Sequence, residues 1–343
     1  RQGRHDYPTG DIAASVDVWD EFPVVKPPMS GQIIALPQLN LDAIRQKDQT
    51  LTTAIEKRES IREYNDNLPI TLEQLGELLY RTARIKEIYT QDAQQQELIK
   101  AQFGEDFDWG EISRRPYPCG GAMYELEIYP VVRRCQGINS GLYHYDPLNH
   151  QLAQIETDTA HIQALIKDAH QSSGEQGMPQ VLLVITARFG RLFRKYRSLA
   201  YALVLKHVGV LYQNLYLVAT NMGLAPCALG AGNSDTFAQA TGLDYIVESS
   251  VGEFMLGSLP NPDIEASGVE ELAVNIDNVS VSESGIEHNE VASDINQTSP
   301  AESVLKGNIN PSDLEAETEG IEVESDSVGF PAELDAVGVS ESN

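Results

Sequence analysis

Two spacings of apolar residues alternate along this chain, one helical and one of strand type. From Leu41 to Arg58, the residues Leu41, Ile44, Leu51 and Ile55 recur on a rough helical period and predict a helix. A second helix is predicted from Thr71. Thr71-Leu72-Glu73-Gln74 has the pattern of a capping box, and Leu72, Leu75, Leu78 and Leu79 form an apolar stripe that ends near Arg84. Residues 90–110 are polar, lack a clear period and read as a variable excursion. The spacing then shifts to two. Tyr124-Glu125-Leu126-Glu127-Ile128-Tyr129 alternates sharply, Gly141 to Pro147 reads as a strand closed by a turn, and Leu152 to Ile155 reads as a third strand. A short amphipathic helix is predicted over 158–170. Val181 to Thr186 is a continuous apolar run of strand length, the pattern of a central strand buried on both faces. The most apolar helix runs from Ser198 to Met222-Gly223, where glycine suits a left-handed cap. It is apolar nearly all round, which implies burial in a large core or against another subunit. Lys206, His207, Gln213 and Asn214 interrupt it, so it reads as a buried helix and not as a membrane span. Val247 to Leu259 supplies the last strand. Helices with a mixed or antiparallel sheet make this an α+β domain.

Charge divides the chain. Of a net −27 over 343 residues, the stretch 261–343 carries 20 acidic residues against Lys306 alone, leaving −8 for residues 1–260. High charge and few large side chains mark 261–343 as an acidic disordered tail or a linker to a further domain. Residues 1–37, with Phe22-Pro23, Pro27-Pro28 and Leu36-Pro37, read as an extended lead-in or the end of a missing N-terminal region. The folded unit is then 38–260. The chain opens at Arg1 and reads as a fragment or a processed form. No clustered basic face points to nucleic acid. Cys119, Cys135 and Cys227 are odd in number and lack metal-type spacing, which fits a reducing cytoplasm and no metal site.

Four short stretches could carry chemistry. Arg58-Glu59-Ser60-Ile61-Arg62 sets two cationic forks around a hydroxyl, which suits a phosphate monoester, although on spacing alone a solvated, ion-paired helix end is the commoner use of such a pattern. Pro118-Cys119-Gly120-Gly121 sits before a strand; its glycines admit a flat ligand close to the backbone, or simply make a tight turn. Cys227 to Asn233, with Leu229, Gly230, Ala231 and Gly232, reads as a loop of small residues whose amides are free for the edge of a ring system. Lys195-Tyr196 places an amine and a phenol side by side, flanked by Arg194 and Arg197, a plausible proton-transfer pair. His207 reads as a satisfied core residue more readily than as a ligand.

Together these stretches resemble the FMN-dependent nitroreductase superfamily, more narrowly the azoline dehydrogenases that mature ribosomal peptides, and closest of all the cyanobactin thiazoline oxidases. The resemblance covers roughly residues 30–260. It rests on Arg58-Glu59-Ser60-Ile61-Arg62 for the family's Arg-x-Ser-x-Arg, on Pro118-Cys119-Gly120-Gly121 for its Pro-Ser-x-Gly-like loop, on Gly141-Leu142-Tyr143-His144-Tyr145-Asp146-Pro147 for its hairpin, and on Lys195-Tyr196 for the peptide-azoline branch's catalytic pair. Cys119 departs from the usual serine.

The resemblance implies a nitroreductase-like homodimer with a buried long helix and FMN at the subunit interface. Arg58, Ser60 and Arg62, with Glu59 between them, would hold its phosphate and ribityl chain. Pro118 to Gly121 would approach the ring from the partner subunit, and Leu229 to Gly232 would line it. It also implies a heterocyclised precursor peptide as substrate, thiazoline oxidised to thiazole, Lys195 and Tyr196 jointly removing a proton, and molecular oxygen as the acceptor. In some cyanobactin systems a protease domain is fused behind the oxidase. The competing functions are a generic NAD(P)H-dependent nitro- or quinone reductase and a non-catalytic peptide-binding module.

Overall fold

The structure, a computed structural model, describes residues 22–29, 31–90, 92–103, 111–155 and 157–260. The acidic stretch 261–343 and residues 1–21 lie outside the described residues.

A seven-stranded sheet forms the centre, in the order β1(Ile33–Ala35), β6(Gln151–Ile155), β5(Gly141–Asp146), β4(Leu126–Val132), β7(Val181–Arg188), β9(Glu248–Ser258) and β8(Leu224–Leu229). Every neighbouring pair in it is antiparallel. On one face pack α2(Leu51–Lys57), α3(Leu72–Ala83), α6(Phe189–Tyr196) and α7(Ala200–Asn221); on the other pack α5(Thr159–Ser172) and α8(Ser234–Thr241). The α+β expectation therefore holds, with the sheet wholly antiparallel among the described strands.

Four local expectations change. The helix foreseen over 41–58 is two helices, α1(Leu41–Lys47) and α2. Asp48 turns extended and pairs with Arg81 at 2.5 Å, and Thr50 then caps α2 by accepting the Thr53 N–H at 3.2 Å. The excursion contains a helix, α4(Ala93–Phe103), between the short strands β2(Glu87–Tyr89) and β3(Ile112–Arg114). The lead-in joins the fold: β1 pairs with β6, and Val24 and Leu36 are buried. Buried arginines hold its carbonyls, with Arg188 donating to Pro23 O at 2.9 Å and Arg191 to Phe22 O at 2.6 Å. Finally, β8 takes in Cys227 to Leu229, which had read as loop. Pro226 is tolerated there because β8 is an edge strand, and its carbonyl accepts the Ile61 N–H at 2.9 Å.

The alternation at 124–129 does not mark one face open to water. Strand β4 is buried along its whole length, and Glu127 within it and Glu125 just before it are buried too. Glu127 meets His144 at 3.1 Å and Arg188 at 3.2 Å. Burial opposes its charge, but those two partners outweigh burial and hold its pKa down to about 2.

Helix α7 is long and apolar enough to cross a membrane by length and composition alone. Here it packs on the sheet through Ala200, Val204, Val208, Leu211, Leu215 and Ala219. Beside and beyond this stripe, Tyr201, Leu205 and Val210 are exposed in the single chain.

Candidate active site

Helix α7 organises both halves of the site. On one flank, Tyr216 binds the segment that follows α2. Its hydroxyl accepts the Ala228 N–H at 2.7 Å and lies 2.8 Å from Ser60 Oγ, and the Arg58 guanidinium sits over its ring at 5.3 Å. With its lone pairs turned to Ala228, the phenol can give its hydrogen to Ser60, which leaves the serine hydrogen for a ligand. Arg62 donates weakly to Ser60 O at 3.4 Å. Neither Arg58 nor Arg62 pairs with a carboxylate among the described residues, and Glu59 is exposed. The ion-paired helix end is thus not what forms; the two forks remain available for an anion.

Beside this segment, β8 ends at Leu229 and Gly230-Ala231-Gly232 leads to α8, which Asn233 caps by accepting the Thr236 N–H at 2.9 Å. The loop borders a cleft of about 360 Å³, with Tyr201, Tyr212 and Glu253 on its walls. A Cβ on Gly232 would overlap the Glu253 carboxylate, so any side chain there would displace the glutamate head. Burial pushes the Glu253 pKa up to about 6, against a counteracting hydrogen bond from Ser250. Sequence patterns gave no sign of Glu253, since it lies in an ordinary strand run.

On the other flank of α7 sits the Pro118–Gly121 loop. Gly120 to Ala122 make one tight turn, and Gly121 adopts φ 60°, a left-handed conformation that favours glycine. The Gly120 N–H donates to His207 Nε2 at 2.9 Å, and His207 Nδ1 lies 2.7 Å from Glu125 Oε1. Cys119 Sγ takes the Tyr124 N–H at 3.1 Å and reaches Glu125 Oε2 at 3.2 Å. Burial and the adjacent Glu125 push the Cys119 thiol well up, so it is a protonated lining group and not a nucleophile.

Tyr196 meets this loop. The position a Cβ would take on Gly120 is 3.4 Å from the Tyr196 hydroxyl and 3.4 Å from His207 Nε2. Burial, then Cys119 and Glu125, raise the Tyr196 pKa, so the phenol keeps its proton at neutral pH. Lys195 falls in α6, one residue earlier. The side chains of Arg194, Lys195 and Arg197 lie outside the described residues.

Cys119, Glu125 and His207 present ligand-type atoms within 4.8 Å of one another. The hydrogen bonds argue against a cation there. A backbone N–H aimed at Nε2 needs the lone pair on that nitrogen, which puts the ring hydrogen on Nδ1, towards Glu125. A metal on Nδ1 would demand an imidazolate.

The two flanks stand apart. His207 and Tyr216 are nine residues apart, about 14 Å along the axis and about half a turn apart in direction. One chain brings Arg58, Ser60 and Arg62 to the Leu229–Gly232 loop, and Gly120 to Tyr196, as two separate half-sites.

Comparison with known proteins gives a match to the nitroreductase family over residues 55–258. MJ1384 of Methanocaldococcus jannaschii, described as a nitroreductase, is 29% identical over 182 residues, 53% of this chain and 78% of its own. The microcin B17-processing protein McbC of Escherichia coli is 33% identical over 133 residues, 37% of this chain and 48% of McbC. The trifolitoxin-processing protein TfxB of Rhizobium leguminosarum bv. trifolii is 29% identical over 150 residues, 43% of this chain and 40% of TfxB. The chain thus spans about half the length or less of these two peptide-processing relatives. Among solved structures, the E. coli microcin synthetase McbBCD complex with truncated pro-MccB17 bound matches 76% of this chain and 85% of its own at 21% identity, with a TM-score of 0.48.

Proposed function

The chain belongs to the nitroreductase family, and we propose that it oxidises thiazolines in a ribosomally made precursor peptide to thiazoles, with FMN as its cofactor. The observation that carries this reading is the phenol of Tyr196, a member of the Lys-Tyr pair by which the chain resembles the peptide-azoline branch, seated against the Gly120 loop. Similarity to two peptide-processing proteins supports the substrate class.

The residues present fit a flavin mononucleotide. Arg58 and Arg62 are cations without an acidic partner among the described residues, and Ser60 has a hydrogen to give; these suit a phosphate. Gly230 and Gly232 keep the cleft wall flat. Bound FMN supplies a two-electron acceptor for the hydride that leaves the thiazoline ring. The protein must also take one proton from the neighbouring ring atom. We assign that proton jointly to Lys195 and Tyr196, the phenol, which keeps its own proton, being able to donate a hydrogen bond and relay. Each ring thus loses one hydride and one proton, and molecular oxygen, taking up both, leaves as hydrogen peroxide.

The separation of the half-sites, together with the exposed Tyr201, Leu205 and Val210 on α7, supports a homodimer in which each site draws on both subunits. A fused or linked protease remains part of this reading as an expectation from the resemblance, and a cytoplasmic location as one from the cysteine pattern.

The test is a mass spectrum of a thiazoline-bearing peptide before and after incubation with the FMN-loaded protein in air. Loss of two hydrogens per ring supports the reading. The similarity to MJ1384 favours a second one, nitro- or quinone reduction at the expense of NAD(P)H. Rapid NADPH consumption with an electron acceptor, with the peptide mass unchanged, would establish that reading instead. A purified protein without flavin absorbance that still binds the peptide would point to a binding module.

A further inference from the structure

Glu125 and His207 have no part in the steps above, yet they join the loop to the helix at the place where Tyr196 arrives. Both are buried. The buried stripe of α7 is otherwise apolar, and a carboxylate–imidazole pair is a costly choice for such a position unless its hydrogen bonds are filled. They are filled, and by the loop. Gly120 gives its N–H to His207 Nε2 at 2.9 Å, and Cys119 gives its thiol hydrogen to Glu125 Oε2 at 3.2 Å. Glu125 Oε1 takes the Nδ1 hydrogen at 2.7 Å. The backbone they hold is unusual: Gly121, Ala122 and Tyr124 have φ of 60°, 54° and 46°. Such conformations persist where the surroundings over-determine them, and they gather at functional sites.

We propose that His207, oriented by Glu125, is a positioning residue of the active site: it holds the Gly120 amide and so sets the Cys119–Gly121 backbone against the Tyr196 phenol. It acts through the loop, on a tautomer that Glu125 selects. The proposal rests on the reading of this site as an azoline oxidase, but its main observables need no substrate.

The first measurement is nitrogen-15 NMR of the histidine side chains in the full chain, with the His207 signal assigned by its loss in His207→Gln. The expected result is a ring hydrogen on Nδ1 at neutral pH. The second is hydrogen exchange at the Gly120 amide in the wild type, His207→Ala and His207→Gln. Glutamine places an amide oxygen near the former Nε2 position; alanine leaves the Gly120 N–H without its acceptor. His207→Ala should speed exchange at Gly120 and, measured with FMN saturating, lower kcat by about tenfold or more, the loss of an interaction worth about 1.4 kcal/mol. His207→Gln should restore both exchange protection and kcat towards the wild type. A ring hydrogen on Nε2 would overturn the proposal, even if His207→Ala failed to fold. So would unchanged exchange and kcat in His207→Ala, or a glutamine variant that behaves like alanine. An Nδ1 hydrogen and a protected Gly120 in a protein that leaves thiazolines untouched would refute the oxidase reading and keep the positioning of the loop.

Discussion

Glu253→Gln should raise stability at alkaline pH and leave it unchanged near pH 4.5. The carboxyl is 7% exposed, lies against Gly232, and has no cationic partner among the described residues. Burial lifts its pKa from 4.5 to about 6. The folded state therefore keeps the proton to a higher pH than the unfolded state does. Below pH 4.5 both states are protonated, and the group takes nothing from stability. Between the two values the unfolded chain ionises first, and stability falls by about 1.4 kcal/mol per pH unit, reaching a full loss of about 2 kcal/mol above the folded value. Glutamine has nearly the same shape and never ionises, so it avoids that loss. In a domain of this size, about 2 kcal/mol corresponds to a Tm higher by roughly 4–8 °C. Thermal melts of the two proteins near pH 4.5 and about pH 8 would measure it. An equal Tm difference at both pH values, or a lower Tm for the glutamine variant at the higher one, would refute the account and point to a cation from outside the single chain.

Tyr196→Phe should keep bound FMN, read as visible absorbance, while azole formation measured by mass spectrometry falls by about 100-fold, the usual scale for a lost proton-transfer group. Arg58→Ala with Ser60→Ala should weaken FMN at least about tenfold in a fluorescence titration, since one hydrogen bond to a charged group is worth about 1.5–3 kcal/mol. Gly121→Val, forced to φ 60°, should cost about 1–3 kcal/mol in a denaturant melt. Lys26→Met should cost about 3–5 kcal/mol at neutral pH in the same melt, because Lys26 pairs with the buried Glu248, which would lose its cation and keep only the Tyr129 and Thr186 hydroxyls as donors.

Much of the scaffold is legible in the sequence where local signals act alone. The capping box at Thr71 is present, with the Thr71 N–H donating to Gln74 Oε1 at 2.9 Å and the Gln74 N–H to Thr71 Oγ1 at 3.2 Å. Val181 to Thr186 forms a central strand, because a run without polar positions can only be covered on both faces. The failures come where a distant residue decides. Asp48 breaks the first helix by turning to Arg81, 33 positions on. The burial of Glu125 and Glu127 has no local signal, since His207, 82 residues away, and Arg188, 61 away, are what meet them. In the candidate site, Arg58, Ser60 and Gly120 could be named from motif spacing. Tyr216, Glu125 and Glu253 could not, since each acquires its role only when the sheet and α7 close around it.

The separation of the two half-sites along α7 leads to a test that single substitutions cannot give. Arg58, Ser60 and Arg62 gather at the Tyr216 flank, and Tyr196 with the Gly120 loop at the His207 flank, half a turn round and about 14 Å along the helix. A site built from the first half of one subunit and the second half of its partner makes a clear prediction for mixed dimers. In a heterodimer of Tyr196→Phe with an Arg58→Ala/Arg62→Ala chain, one site would collect both defects and the other neither. The heterodimer, isolated through two different affinity tags, should then show about half the wild-type specific activity, although each parent homodimer is inactive, because the two-fold symmetry of a homodimer gives two equivalent sites. If each chain instead completed its own site, every site in the mixed dimer would carry one defect and no activity would return. Recovery of one intact FMN per dimer by visible absorbance separates lost chemistry from lost cofactor, so an inactive heterodimer with that flavin content would refute the shared site.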